Sequence, residues 1–281
     1  MRLKHFCECR QSVRAHAHYN GLLLAEDQRE RLDVVLVSPR NPLNIGAVAR
    51  AMANFGFARL AVVAPYEPHW REARSAVEAE DVLRDARVCA TLAEVVADCT
   101  LVVGTGTLTY RRPEQPVVRL PELAPLVRRE LERGGRVAMI FGPEKHGLTR
   151  EDLAHCHMLV EIPTDARQPS MNLGQAVAVC LYELASRAFA VQAGPAVVDA
   201  AESGELGARS AELERLAGVV EETMLAAGYS PHAMEAANRH DLRVLLRRLR
   251  LSAADTRRTL GLFRRILWRL RPTPDLRPGR E

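Results

Sequence analysis

The sequence predicts an α/β protein built on a parallel sheet, and three observations carry that prediction. Short apolar, valine-rich runs at Leu32–Val37, 60–64, 101–103, 136–141 and 158–162 each have the length and composition of a strand. None of them alternates polar with apolar residues, which is the pattern of strands covered on both faces. Helical spacing fills the intervals, and strands joined by helical crossovers run parallel.

Taken in order, residues 1–30 are polar, mixed and without a clear period, and stay unassigned. The first strand, Leu32–Val37, leads through Ser38-Pro39-Arg40-Asn41-Pro42-Leu43 into a helix expected from about Asn44 to Asn54. That helix stops at Gly56, since glycine takes the left-handed cap at least cost. The strand at 60–64 completes a β-α-β unit, and residues 72–99 read as helical segments around a short strand near Val88.

The strand at 101–103 ends in Gly104-Thr105-Gly106-Thr107-Leu108-Thr109. This is not a dinucleotide loop, because G-x-G-x-x-G needs a third glycine where Thr109 stands and an acidic residue ending the next strand. No Walker lysine motif exists either, so ATP use is unsupported. Tyr110-Arg111-Arg112-Pro113 sets an aromatic ring beside two cations, a pairing that suits an RNA-facing loop or an ordinary solvated one. Residues 121–133 form a helix begun by proline and ended by Gly134-Gly135.

The stretch 137–179 then reads as strand, Gly-Pro-Glu loop, short helix from Thr149, strand to Ile162, long polar loop, and a helix from Asn172 to near Ala190. Two loops thus end on helix N-termini, whose unpaired N–H groups suit a ligand rich in acceptors, such as a nucleoside. Residues 191–209 are rich in Ala, Gly and small polar residues and read as a linker. Three helices follow: 210–227, one opened by Ser230-Pro231, and one opened by the capping box Ser252-Ala253-Ala254-Asp255. The expected organisation is an unassigned leader (1–30), an α/β domain (31–190), a linker (191–209) and a small basic all-α domain (210–281).

Charge is distributed unevenly. The net charge is +4, yet the segment from Tyr229 to Glu281 holds 13 arginines and 5 acidic residues, a net +8. That end is the expected polyanion contact, with Arg239, Arg243, Arg247 and Arg250 at helical spacing as a basic stripe. No apolar run approaches the roughly 20 residues that a membrane helix needs, and the start lacks a signal peptide's apolar centre, so a cytoplasmic protein is expected. The six cysteines are scattered, which argues against a disulfide framework. His5, Cys7, Cys9, His16 and His18 do not match a zinc spacing, so no metal is expected.

Three motifs stand in order along the α/β part: Asn44-Ile45-Gly46-Ala47-Val48-Ala49-Arg50-Ala51, Phe141-Gly142-Pro143-Glu144-Lys145-His146-Gly147-Leu148-Thr149, and Pro169-Ser170-Met171-Asn172-Leu173. Together they resemble the motifs of the SPOUT RNA methyltransferases of the TrmH class, and the order of modules is most similar to the bacterial TrmJ branch. The resemblance implies a parallel sheet whose C-terminal part is tied in a deep trefoil knot, a homodimer, and S-adenosylmethionine as cofactor. It implies methylation of the ribose 2′-hydroxyl of nucleotide 32, C or U, in the tRNA anticodon loop.

Carried onto this chain, the resemblance makes Arg50 catalytic. Asn44 would orient the first-motif loop, Glu144 would fix the second, and Ser170 and Asn172 would complete the pocket. The cofactor would be held by Thr105, Gly106, Gly142, Glu144, Gly147, Ile162, Met171 and Leu173. The expected RNA contacts are Arg40, Arg111, Arg112, Arg243, Arg247 and Arg250. A guanidinium is a poor base, so the expected role of Arg50 is to bind the target phosphate and stabilise a developing alkoxide. The chain departs from the pattern at Pro143, where a basic residue is expected, and in the Gly104-Thr105-Gly106-Thr107 loop. Two alternatives are a ribosomal RNA substrate and a non-catalytic RNA-binding protein. The helical C-terminal end speaks against the first, and the presence of Asn44, Arg50, Glu144 and Asn172 against the second.

Overall fold

The computed structural model describes residues 24–66, 68–106, 113–186, 205–229 and 234–271. A short helix α1 (Glu26–Arg29) leads into β1 (Leu32–Val37), followed by α2 (Pro42–Asn54), β2 (Leu60–Val63), α3 (Glu80–Arg84) and β3 (Arg87–Cys89). Then come α4 (Leu92–Val96), β4 (Leu101–Thr105), β5 (Val117–Arg119), α5 (Leu120–Glu132), β6 (Val137–Phe141), α6 (Arg150–Leu153), β7 (Met158–Glu161) and α7 (Leu173–Ser186). The helices α8 (Ser210–Ala226), α9 (Glu235–Arg248) and α10 (Ala253–Leu270) close the chain.

The seven strands form one sheet in the order β3-β2-β1-β6-β4-β7-β5. Every pairing is parallel, as the unbroken apolar strands predict. One face packs through Val34, Leu36, Val103, Met139 and Phe141 on α2, α5 and α7; the other packs through Val35, Val102, Ala138 and Ile140 on α4. Two elements lie outside the expected set. The edge strand β5 has a burial pattern of one covered residue between two exposed ones, too weak a pattern to read from three residues. The segment left unassigned before residue 31 contributes α1 and a buried Leu24, and Arg31 ties it to α5 by donating to the Leu131 carbonyl at 2.7 Å.

The first helix begins two residues earlier than its apolar spacing indicates. Asn41 is the N-cap, its side chain accepting from the Leu43 amide at 3.0 Å, and Pro42 occupies the first helical position. The first motif, Asn44 to Ala51, is helical throughout, as expected from Asn44 onwards. Gly56 takes φ +73° after this helix, as its cap requires. Ser252 caps α10 by accepting from the Asp255 amide at 3.1 Å, whereas Ser230 and Pro231 lie outside the described residues, as does the linker before residue 205.

Of the basic stripe expected on the second C-terminal helix, Arg239 is exposed, while Arg243, Arg247 and Arg250 turn towards the protein. The Arg247 side chain is only 1% exposed, and its Nη2 donates to Glu214 Oε1 of α8 at 2.8 Å. Arg243 donates to the other oxygen of Glu214 at 3.1 Å. Arg250, at φ +47°, turns its guanidinium towards Glu130 of α5, 4.0 Å away. These arginines were expected on RNA; the structure spends them on holding α9 against α8 and the sheet body. Helical spacing shows that residues share a face, but not which way the face points. Solvent-facing arginines lie on both helices, Arg239 and Arg248 on α9 and Arg257, Arg258, Arg264, Arg265 and Arg269 on α10.

Candidate active site

The loops after β1, β4, β6 and β7 lie side by side, because those four strands are neighbours in the order β1-β6-β4-β7. Ligand crevices of parallel sheets form at such carboxyl ends, where connections leave in different directions. Here the loops after β4, β6 and β7 form a cavity of about 290 Å³ lined by all eight residues expected to hold a cofactor, Thr105, Gly106, Gly142, Glu144, Gly147, Ile162, Met171 and Leu173, and by Ser170.

Local chemistry explains the loop shapes. Gly142 follows β6 at a point where a Cβ would overlap the backbone of Gly147 and Leu148, so the loop folds back on itself at van der Waals distance. Gly147 completes the return at φ +65°, its amide donating to the Pro143 carbonyl at 2.9 Å. Gly104 is equally tight, with Cys156 Sγ 2.7 Å from where its Cβ would stand, while Gly106 faces open space. Thr105 turns its hydroxyl away from the cavity to donate to the Ile140 carbonyl at 2.9 Å, leaving its backbone at the rim.

Three motifs distant in sequence are joined by one hydrogen-bonded chain. Asn172 Nδ2 donates to Asn44 Oδ1 at 2.9 Å, and Asn44 Nδ2 donates to Glu144 Oε1 at 2.8 Å. The Asn172 Oδ1 accepts from the Gly174 amide at 2.9 Å, fixing the start of α7. Glu144 also accepts from the amides of Arg40 and Asn41, both at 3.4 Å. Burial pushes the Glu144 carboxyl up, but the hydrogen bond from Asn44 and the backbone amides outweigh it and hold its pKa below the ordinary value. Glu144 is therefore an ionised clamp across the loops after β1 and β6, not a proton donor.

Arg50 stands apart from this cluster. It is exposed on α2 and is not among the cavity-lining residues. Seven residues separate it from Leu43, which is 55% exposed, so the two share the solvent side of the helix. Arg40 is exposed at the rim, its guanidinium 5.5 Å from the Tyr66 ring centroid. Arg111 and Arg112 lie outside the described residues.

Sequence reasoning missed Ser75, whose hydroxyl donates to the Leu43 carbonyl at 2.6 Å and steadies the first turn of α2. It also missed Glu161, which lines the cavity; its place at the end of a parallel strand was the available signal. A cysteine nucleophile is not available among the buried thiols, since burial pushes Cys99, Cys156 and Cys180 up to about 12. Glu114, His240 and Asp241 bring possible ligand atoms within 4.8 Å of one another, but Arg150 already pairs with both carboxylates.

Comparison with known proteins identifies the family. Residues 31–182 match the model of the SpoU rRNA Methylase family. A tRNA (cytidine/uridine/adenosine-2′-O-)-methyltransferase TrmJ of Pseudomonas aeruginosa is 35% identical over 85% of this chain and 93% of its own length. A tRNA (cytidine/uridine-2′-O-)-methyltransferase TrmJ of Escherichia coli is 33% identical over 85% and 94% respectively. Among solved structures, TrmJ from Z. mobilis superposes with a TM-score of 0.71 at 31% identity, covering 83% of this chain and 98% of that one. With the matched region spanning the whole sheet and all three linked motifs, the chain belongs to the SpoU methylase family.

Proposed function

We propose that this protein transfers a methyl group from S-adenosylmethionine to a ribose 2′-hydroxyl of tRNA, at nucleotide 32 of the anticodon loop. The observation that carries the reading is the hydrogen-bonded chain Asn172–Asn44–Glu144, which joins the three motifs beside one cavity. The similarity to tRNA 2′-O-methyltransferases, which extends over 85% of the chain, favours tRNA over ribosomal RNA. Nucleotide 32 is the position that the motif resemblance implies.

The cavity suits the cofactor. Glycines 106, 142 and 147 bring backbone to its surface, as close approach to a purine edge needs, and Ile162, Met171 and Leu173 give apolar walls. When bound, S-adenosylmethionine supplies an activated methyl group. The chain's own residues then position and stabilise: Glu144, Asn44 and Asn172 fix the loops so that the nucleotide is presented in one orientation. Arg50 binds the target phosphate and favours the developing alkoxide electrostatically, and the proton leaves to solvent.

The same reading includes the deep trefoil knot, supported by the path from β7 past the 142–148 loop to α7 on α2, and a cytoplasmic setting. It also includes a homodimer. Leu43 and Tyr182 are each 55% exposed on α2 and α7, and Arg50 on that side does not line its own chain's cavity, which is what a face covered by a second copy would show. Titration calorimetry tests cofactor binding. The wild type should bind S-adenosylmethionine, and Gly106→Trp, which fills the open rim, should abolish binding without unfolding the protein. Equal binding by both would overturn the site assignment.

A further inference from the structure

The two tryptophans of the chain have opposite environments. Trp70 is 2% exposed in the core, whereas Trp268, on α10, is 58% exposed. Two guanidiniums sit over the Trp268 ring, that of Arg265 at 4.4 Å and that of Arg269 at 5.4 Å from its centroid. The indole makes cation–π contacts with two arginines of its own helix while more than half of the residue stays open to solvent.

The rest of α10 is arranged around it. Thr256, Leu260, Phe263 and Leu267 turn inward, Thr256 and Leu267 buried and the other two packed on the apolar cluster of α8 and α9. At 100° per residue, the opposite face carries Arg258, Gly261, Leu262, Arg265 and Arg269, with Arg257 and Trp268 along one edge; Leu262 is 59% exposed. Arg257, Arg265 and Arg269 make no ion pair with another described residue; Arg258 pairs with Asp255 at 3.3 Å. Gly261 sits in mid-helix, where glycine costs about 1 kcal/mol relative to alanine. No atom lies within 4 Å of where its Cβ would be, so packing within the chain does not require it.

We propose that this face of α10 binds an unpaired segment of RNA, with a base stacked on Trp268 and phosphates along Arg257, Arg258, Arg265 and Arg269. Stacking on an indole is open to any base, because every base has a π-face. The incoming base exchanges with one of the two guanidiniums, which then reaches the neighbouring phosphate, and Gly261 lets the sugar-phosphate chain approach the helix closely. The charge complementarity and the exposed ring select this occupant over a double helix, which would use the arginines and leave the indole idle. The proposal rests on the reading of the chain as an RNA methyltransferase, and moves the RNA contact from Arg243, Arg247 and Arg250 to the next helix.

The test uses the full-length protein, a labelled short unstructured RNA, and the same sequence as a duplex, with affinity read by fluorescence anisotropy at several salt concentrations. Trp268→Ala should weaken single-strand binding about 5- to 150-fold, which is about 1–3 kcal/mol per stacked base, and leave duplex binding unchanged. Trp268→Phe should retain most of the affinity while losing the quench of tryptophan emission on RNA binding. Arg265→Gln with Arg269→Gln should reduce the salt slope by roughly 0.7 per arginine.

Unchanged single-strand affinity in Trp268→Ala would overturn the proposal, and so would equal losses on duplex and single strand. A change in oligomeric mass in Trp268→Ala would instead make this face a protein contact, and would equally overturn it. The site and the enzymatic reading fail separately. If wild type methylates tRNA but Trp268→Ala binds RNA normally, only the site is wrong. If Trp268→Ala loses RNA binding but wild type methylates no RNA, only the enzymatic reading is wrong.

Discussion

Asn44 is the residue on which the site turns, because it accepts from Asn172 and donates to Glu144 and so holds two loops at once. Asn44→Ala removes a hydrogen bond to an ionised carboxylate, worth about 1.5–3 kcal/mol, so the thermal midpoint should fall by several degrees and kcat/KM in a methyl-transfer assay roughly 10- to 150-fold. Glu144→Gln keeps the shape but loses the charge. Since the native carboxyl is held below its ordinary pKa, the clamp is complete above the unfolded value and is lost as pH falls through the lower folded value. A wild-type acid limb of activity that vanishes in Glu144→Gln would confirm this; an identical limb in both would contradict it. Arg50→Lys keeps a cation but not the planar fork, and should lose most activity, as measured by kcat on tRNA. The meeting of Asn44, Glu144 and Asn172 was legible because three short motifs name them together, whereas Arg50 stands apart from the cavity. Ser75 was not legible, since an isolated serine in an irregular stretch gives no sign of which carbonyl it will meet.

At the scale of elements, the junction between the sheet and the C-terminal helices depends on one polar cluster. Glu214 on α8 takes Arg247 and Arg243 from α9, and Arg247 Nη2 also lies 3.4 Å from His155 Nδ1, in the loop before β7. That contact needs an unprotonated Nδ1, and burial with Arg247 alongside pushes the imidazole down to about 4. In the unfolded chain the same ring titrates near its ordinary 6.5. The folded pKa is the lower one, so His155 contributes its stability fully above about pH 6.5 and loses it as pH falls towards 4. Thermal melts of wild type should decline over that window, and His155→Gln should flatten the decline. Arg247→Ala leaves Glu214 without its main partner and should cost about 3–5 kcal/mol by denaturant unfolding, whereas Arg247→Met should cost less. The sequence foretold the helices themselves from spacing, and for α10 from its Ser252 cap. It could not foretell that α9 turns Arg243 and Arg247 inward, because the partner carboxylate lies some 30 residues away on another helix and periodicity carries no information about which face is covered.

Across the whole molecule, a parallel sheet whose strands β4, β6 and β7 end at one cavity positions the chemistry, and a basic helical end extends beside it. The strands were readable from unbroken apolar runs, yet their order was not, because β1 meets β6 and β6 meets β4 only through crossovers that local patterns do not record. The edge strand β5 was invisible for a simpler reason, its three residues being too few to show a period. The measurement that bears most directly on the account is methyl transfer from labelled S-adenosylmethionine to unmodified bulk tRNA, with the product mapped by nuclease digestion and mass spectrometry. The account predicts a 2′-O-methyl group at nucleotide 32 with wild type and its loss with Arg50→Ala; absence of label from every RNA offered to a cofactor-binding protein would contradict it.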